Sequence, residues 1–300
     1  MKDKKPLAWA IGFVLLWNSG FIGAEYGLPY AGPFTLLFWR YLALALLVAT
    51  YLLATGRFQR VDRSAAGFNM LMGILAHGMW LACVLLALDR GVPAGIVALV
   101  VALQPLATGA LSGQVTGEKT HFFQWIGLVV GFLGVVLTVA FRIDFGSADS
   151  VFGYLIPLGS VVGITLSTLL QRRMELKGAN LALPVDQTLL YQSLGTTLVA
   201  ALPAIFAEQL TTQWKPVFIS AMVWLVVAVS LGAYGLMWLL LKRLATTKVA
   251  SLFYLGPPVT MLMAWFAFGD TVRTTDLIGL AVVFLGVVLT LLEPRTQDQR

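Results

Sequence analysis

Asn69, Gly73, His77 and Trp80 stand at i, i+4, i+8 and i+11 of one apolar run, a spacing that gathers them on a single helical face while Leu71, Leu75 and Leu85 point elsewhere. Ser230, Tyr234 and Trp238 repeat the pattern further along, as do Ser251, Tyr254, Pro258 and Trp265. Rings that carry one polar atom can stack on an apolar body, attract a cation and aim a hydrogen bond. That is the chemistry of reversible recognition. Ordinary packing or anchoring at an interface is the competing explanation for each aromatic stripe, and a hydrogen bond to a neighbouring helix is the competing explanation for His77. Bond-breaking chemistry finds little support: His77 has no acid or nucleophile partner in view, no H-E-x-x-H occurs, and no set of carboxylates is spaced to share a metal. No cofactor or metal is expected, and an intramembrane enzyme is the remote alternative.

The elements that carry these residues follow from composition. Hydrophobic residues make up 59% of the 300 residues and charged ones 11%, against roughly a quarter charged in soluble chains. A hydrocarbon core of about 30 Å takes about 20 apolar residues per helix. Such stretches are expected near residues 7–27, 34–54, 67–88, 94–113, 121–141, 151–171, 185–206, 217–240, 249–268 and 275–292, leaving no room for a soluble domain or long linker. The expected fold is therefore an all-α membrane protein of ten transmembrane helices. Depth then selects a midplane set: Trp17 and Asn18, His77 and Trp80, Gln104 and Pro105, Ser160, Ser230 and Tyr234, and Pro257 with Pro258. Polar groups at that depth need internal partners or a wet cavity.

Charge sets an orientation. With an even number of spans both termini share a side, and that side holds Lys2, Lys4, Lys5, Arg57, Arg60, Arg63, Lys119, Arg172, Arg173, Lys177, Lys242, Arg243, Lys248, Arg295 and Arg300. The other side holds Arg90, Arg142, Lys215 and Arg273, and Arg40 lies within a span. The bias is expected to place the termini in the cytoplasm. The net charge of +6 is thus a topology signal rather than a mark of nucleic-acid binding. The first span begins basic but lacks an A-x-A site, so it is expected to stay. Cys83 is the one cysteine and can form no disulfide within the chain.

Residues 127–139 (GLVVGFLGVVLTV) recur as residues 279–291 (GLAVVFLGVVLTL). The same offset carries Pro105 onto Pro257 and Glu118 onto Asp270. Two five-helix repeats are expected, residues 1–145 and 146–300, within one integral membrane domain. Because each repeat has an odd number of helices, the second enters the membrane upside down, which gives a 5+5 inverted-topology repeat and points to alternating access around a midplane site.

These features resemble the drug/metabolite transporter superfamily, EamA type: the ten spans, Trp17-Asn18-Ser19-Gly20, Phe38-Trp39-Arg40-Tyr41, Pro105 and Pro257, Glu118 in G-E-K, and the glycine-spaced ends of helices 5 and 10. Within it the chain is most similar to bacterial exporters of amino acids, aromatic ones included, and related metabolites. The resemblance implies an EamA/DMT fold and export of such substrates. Two departures are Asp270, where the second repeat more often has Glu, and His77, which matches no family motif. Small multidrug exporters of the superfamily exchange protons for cations on a glutamate in mid-helix 1, where this chain has Trp17 and Asn18. No midplane carboxylate is visible, so export driven by the substrate gradient is expected rather than proton exchange.

The expected substrate-binding residues are Trp17, Asn18, His77, Trp80, Gln104, Tyr234, Trp238 and Tyr254. Pro105, Pro257 and Pro258 should kink helices 4 and 9 at matching depth, freeing carbonyls and supplying hinges. Arg40, roughly 6 Å outward of its helix centre at 1.5 Å per residue, needs an answering group. Structural pairing with Glu25 is expected ahead of binding a substrate carboxylate. Gly109, Gly113 and Gly117, with Gly127 and Gly131, read as helix contacts. The expected partners are a small-molecule substrate and the lipid bilayer, with a monomer favoured over a homodimer. Efflux of lipophilic or quaternary cations is the alternative transport function. Nucleotide-sugar transport would need more cavity cations than Arg40.

Overall fold

The computed structural model describes residues 5–116, 122–142, 148–244, 249 and 252–291. Glu118, Ser251, Gly117, Lys2, Lys4, Lys119, Lys248, Arg295 and Arg300 lie outside them. Among the described residues the chain forms ten helical rods in the expected order. These are α1 (Lys5–Gly27), α2 (Pro33–Ala54), α3 (Arg63–Asp89), α4 (Ala94–Val101 with Gln104–Thr116), α5 (Phe122–Ala140), α6 (Ala148–Leu155 with Pro157–Leu176), α7 (Val185–Phe206), α8 (Pro216–Leu241), α9 (Leu252–Phe268) and α10 (Thr274–Leu291). Seven carry an apolar stretch of 18 residues or more, and the apolar parts of α5, α9 and α10 are shorter. Rods ending in short loops satisfy most backbone groups internally, as hydrocarbon demands.

Local sequence sets the ends. Pro33 and Pro216 open α2 and α8, where a missing N–H costs nothing. Asp62 caps α3 by accepting from the Ser64 hydroxyl and from the Ser64 backbone N–H, the latter at 3.0 Å, and these hydrogen bonds hold its exposed carboxyl below the usual range. Gly269, at φ 74°, takes the left-handed turn that ends α9. The rods are apolar outside as well as inside: Phe206, Phe266 and Leu53 are exposed while Leu36, Leu99 and Leu225 are fully buried. Lipid rather than water suits that exterior.

The two halves meet as inverted copies along α5 and α10. A Cβ on Gly134 would meet the Gly279 carbonyl at 2.8 Å, and one on Gly286 would meet the Gly127 carbonyl at 2.6 Å. The offset between the sequence copies exchanges these two contacts, since Gly127 corresponds to Gly279 and Gly134 to Gly286. Early residues of one helix therefore touch late residues of the other, and a pseudo-two-fold axis crosses the pair at right angles. Glycine admits the close approach. The same offset relates α2 to α7, both of 22 residues, and α3 to α8.

Both breaks expected at proline occur. The first segment of α4 ends at Val101 and the next starts at Gln104, with Pro105 second in it; α9 runs as a 3-10 turn over Leu252–Leu255 before Gly256, with Pro257 at the start of its α segment. Each proline thus occupies a position whose N–H would have no helical acceptor. A second matched feature was not legible in the sequence. Helix α3 widens to a π-helix over Ile74–Met79 and α8 does so over Trp224–Ala233, at corresponding places in the repeats.

Candidate functional site

A cavity of about 1450 Å³ runs between the halves and opens on the face that carries Arg57 and Lys242, with Glu175 and Asp186 also at its mouth. Its inner end is lined by Trp17, His77, Gln104, Pro105, Ser230, Tyr234 and Phe253. The opposite face is closed. There the Glu208 carboxylate accepts from the backbone N–H groups of Phe34 and Thr35 at 3.1 and 2.7 Å, and Trp39 Nε1 donates to Thr212 at 3.0 Å. Arg142 forms an ion pair with Asp276 and donates to the Thr271 carbonyl at 2.8 Å, while Arg273 donates to the Phe141 carbonyl at 2.7 Å. Hydrogen bonding to Asp276 raises the pKa of Arg142 above its ordinary value. Burial pushes the carboxyl of nearby Asp270 up.

Two polar tethers join the halves beside the cavity's inner end. His77 Nε2 lies 3.0 Å from Gln192 Oε1 and its Nδ1 lies 3.2 Å from the Tyr234 hydroxyl. With Nε2–H donating to Gln192 and Nδ1 accepting from Tyr234, the neutral imidazole is satisfied at both nitrogens. In the second tether Arg40 donates from Nε and Nη2 to Ser230 Oγ at 3.3 and 3.1 Å. The two are pseudo-equivalent. The repeat offset places Arg40 of α2 at the position of Gln192 of α7, and Ser230 one residue from the counterpart of His77. Both His77 and Ser230 sit in the π-helical stretches, whose wider turn brings side chains inward that a regular helix would place elsewhere.

Glycine sets the first tether's reach. A Cβ on Gly73 would collide with the Gln192 backbone, and one on Gly195 with the Met70 backbone, so α3 and α7 lie in close contact where His77 meets Gln192. The aromatic floor centres on Trp17. Its ring lies 5.2 Å from Tyr234, 5.1 Å from Phe253 and 6.1 Å from Trp80, centroid to centroid.

The other expected residues are distributed as follows. Gln104, Pro105 and Trp238 line the main cavity. Asn18 is buried and ties α1 to α9, accepting from Thr260 Oγ1 at 3.0 Å and donating to the Val14 carbonyl at 2.7 Å. It borders a void of about 50 Å³ together with Tyr254, Pro257, Trp80 and Gln104. Pro258 is half-buried and adjoins neither space. Trp265 is 51% exposed and packs on Phe266. Ser160 donates to the Trp80 carbonyl at 2.8 Å. Gly109 lines the cavity, whereas Gly131 packs against Leu106 as a helix contact.

The expected pairing of Arg40 with Glu25 is not formed. Glu25 lies where it feels the charge of Asp270 and keeps Oε2 unpartnered among the described residues, while Arg40 reaches across to α8. Which neighbour an arginine meets depends on helix rotation, which span length and depth do not encode. Gln192 is the site residue that the sequence reading missed. A glutamine near the middle of an apolar span was the available signal.

A sequence profile described as the EamA-like transporter family matches residues 4–140 and, separately, 151–292. The chain belongs to the EamA-like transporter family. It is 25% identical over 293 residues to the uncharacterized inner membrane transporter YedA of Escherichia coli K12, covering 96% of this chain and 91% of that one. It is 24% identical over 287 residues to a protein of Salmonella typhimurium named a probable amino-acid metabolite efflux pump, covering 93% and 92%. A solved crystal structure superposes with a TM-score of 0.66 at 19% identity over 98% of this chain and 99% of the other, which supports the fold.

For an EamA-like transporter this geometry is that of a chamber open to one side. Among the described residues no three of His, Cys, Asp or Glu come together as a metal site would require. The inner end of the chamber offers aromatic area, the His77 imidazole and the amides of Gln104 and Gln192, and Arg40 borders the adjoining void. An arginine within a membrane helix costs up to about 2.5–3.5 kcal/mol on insertion scales, the figure for the helix centre, and a serine hydroxyl is a weak counterpart for it.

Proposed function

We propose that the chain exports amino acids, aromatic ones among them, or closely related small metabolites across the bacterial inner membrane by alternating access, with both termini in the cytoplasm. The observation that carries the reading is the chamber itself: an aromatic floor at Trp17, Tyr234 and Phe253 with His77 and Gln104 beside it. Rings of that kind suit a ligand with an apolar body and a few directed polar groups. The name of the Salmonella relative supports the same substrate class. With the basic face in the cytoplasm, the described conformation is the one that loads substrate. Exchange of conformations between the inverted halves would release it on the other side.

Efflux of lipophilic cations is the second reading, favoured by the same rings. Against it, the inner end of the cavity bears no carboxylate, its acids Glu175 and Asp186 standing at the mouth, and Arg40 would repel a cation. Purified protein in liposomes separates the two. We expect counterflow uptake of labelled phenylalanine or tryptophan that unlabelled amino acids inhibit and that an imposed pH gradient leaves unchanged. Uptake of tetraphenylphosphonium with none of amino acids would overturn the assignment.

A further inference from the structure

The main chamber leaves one buried charge unexplained. Arg40 is 5% exposed, and its polar partner is the Ser230 hydroxyl, with the Tyr41 ring 5.6 Å from the guanidinium carbon. The ion pairs formed among the described residues are Arg57 with Asp186, Arg142 with Asp276 and Arg172 with Glu175, so no described carboxylate is paired with Arg40. Ser230 occupies the Nε–Nη2 edge of the fork, and the Nη1 end has no hydrogen-bond partner among the described residues. A guanidinium offers five N–H donors in one plane, so most of this one is unanswered.

Behind the aromatic floor lies a further, smaller void of about 30 Å³, walled by Trp17, Arg40, Tyr41, Trp80, Val229 and Tyr234 among others. It is large enough for one or two waters, which is also the room a single carboxylate group takes. Trp80 Nε1 is buried without a hydrogen-bond partner among the described residues. Two of the residues enclosing this void therefore carry unmatched donors, one of them a cation. Trp17 and Tyr234 face both the void and the main chamber, and Ser230 is on the chamber wall. A small movement of the Trp17–Tyr234 pair, 5.2 Å apart by centroid, would join the two spaces.

We propose that this void is the carboxylate subsite of the transport site: the substrate's carboxylate displaces Ser230 from Arg40, takes the guanidinium fork and accepts a further hydrogen bond from Trp80 Nε1. The proposal rests on the reading of the substrate as an amino acid or similar metabolite, and it fixes which end of that substrate enters first. Carboxylate is the planar, two-oxygen acceptor that the guanidinium fork matches. The ligand's apolar body remains in the chamber against Trp17, Tyr234 and Phe253. A neutral amide lacks the charge to answer Arg40, and an amine without a carboxylate meets it with the wrong sign.

The test is competition against labelled phenylalanine in proteoliposomes by phenylalanine, phenylalaninamide and phenethylamine. The wild-type protein should prefer phenylalanine by about tenfold or more, as expected when a charged hydrogen-bonding partner is lost. In Arg40→Gln that preference should collapse to within about twofold, and in Trp80→Phe, which keeps the ring and loses the N–H, it should fall part of the way. Ser230→Ala decides between a ligand site and a mere helix tether. It removes the group that competes for Arg40, so carboxylate binding should be retained or tightened. A loss in Ser230→Ala equal to that in Arg40→Gln would overturn the proposal. Should Arg40→Gln fail to fold, Ser230→Ala and Trp80→Phe still carry the test. If the wild type moves amino acids but binds phenylalaninamide equally well, the subsite is wrong and the export assignment stands; if it moves no amino acid, the assignment itself fails.

Discussion

At the scale of single residues, the site is a set of side chains each of which joins one repeat to the other. His77 bonds to Gln192 and Tyr234, Arg40 to Ser230, and Asn18 to Thr260, so each of these tethers crosses the seam that the proposed alternating access would rearrange. Removing a buried partner leaves the other group unsatisfied, which costs about 1–3 kcal/mol. Trp17→Ala, His77→Ala and Trp80→Ala should each impair uptake of an aromatic substrate without abolishing membrane insertion, with Trp17→Ala the most severe because its ring touches Tyr234, Phe253 and Trp80 at once. Unchanged uptake in all three would discredit the chamber. Legibility at this scale was uneven. His77, Trp17 and Gln104 were readable from depth alone, since a polar or amphipathic group at mid-span has to be accommodated. The partner of Arg40 was not readable, because a residue's depth says nothing of the direction in which its helix is turned.

The rods themselves were the most legible part. An apolar run of spanning length has few alternatives to a helix in lipid, and Pro105 and Pro257 announced the breaks in α4 and α9. The π-helical stretches of α3 and α8 left no comparable mark, since a wider turn changes neither composition nor hydropathy. Their placement matters nonetheless, because one carries His77 and the other Ser230. Close packing at glycine has a measurable counterpart at this scale. Gly134 and Gly286 each face backbone of the opposite helix, with no flexible side-chain tip to give way, so Gly134→Leu or Gly286→Leu should force α5 and α10 apart. Overpacking of that kind costs about 1–3 kcal/mol or more. A lowered midpoint in detergent thermal unfolding, similar for the two variants, is the expected result; a large drop in one with none in the other would contradict the paired seam.

For the whole molecule, the asymmetry between an open and a closed face is what one state of the proposed transport cycle would show. The ion pair of Arg142 with Asp276 and the hydrogen bond of Arg273 to Phe141 join the end of α5 to the α9–α10 region on the closed face, and a side-chain relative exposure of 7% and 1% for the ion pair puts it beyond easy screening by salt. Breaking a buried pair by removing one partner destabilises the state that contains it by about 3–5 kcal/mol. Arg142→Gln and Asp276→Asn should therefore shift the population toward opening on that face. A cysteine at Ala24, which is 3% exposed in the state described, reports the shift: in a Cys83→Ser background it should react slowly with an impermeant thiol reagent in the wild type and faster in either variant. Equal labelling in all three would show that the pair does not hold the face shut.

The seam between α5 and α10 has a bearing on direction. Because Gly127, Gly134, Gly279 and Gly286 make contacts that would exchange with one another if the halves traded places, the glycine packing of this joint would favour neither end state. A joint of that kind works like a turnstile without a ratchet. Net flux would then be set by solute concentration on either side, and reversing those concentrations would run the same machinery as an importer.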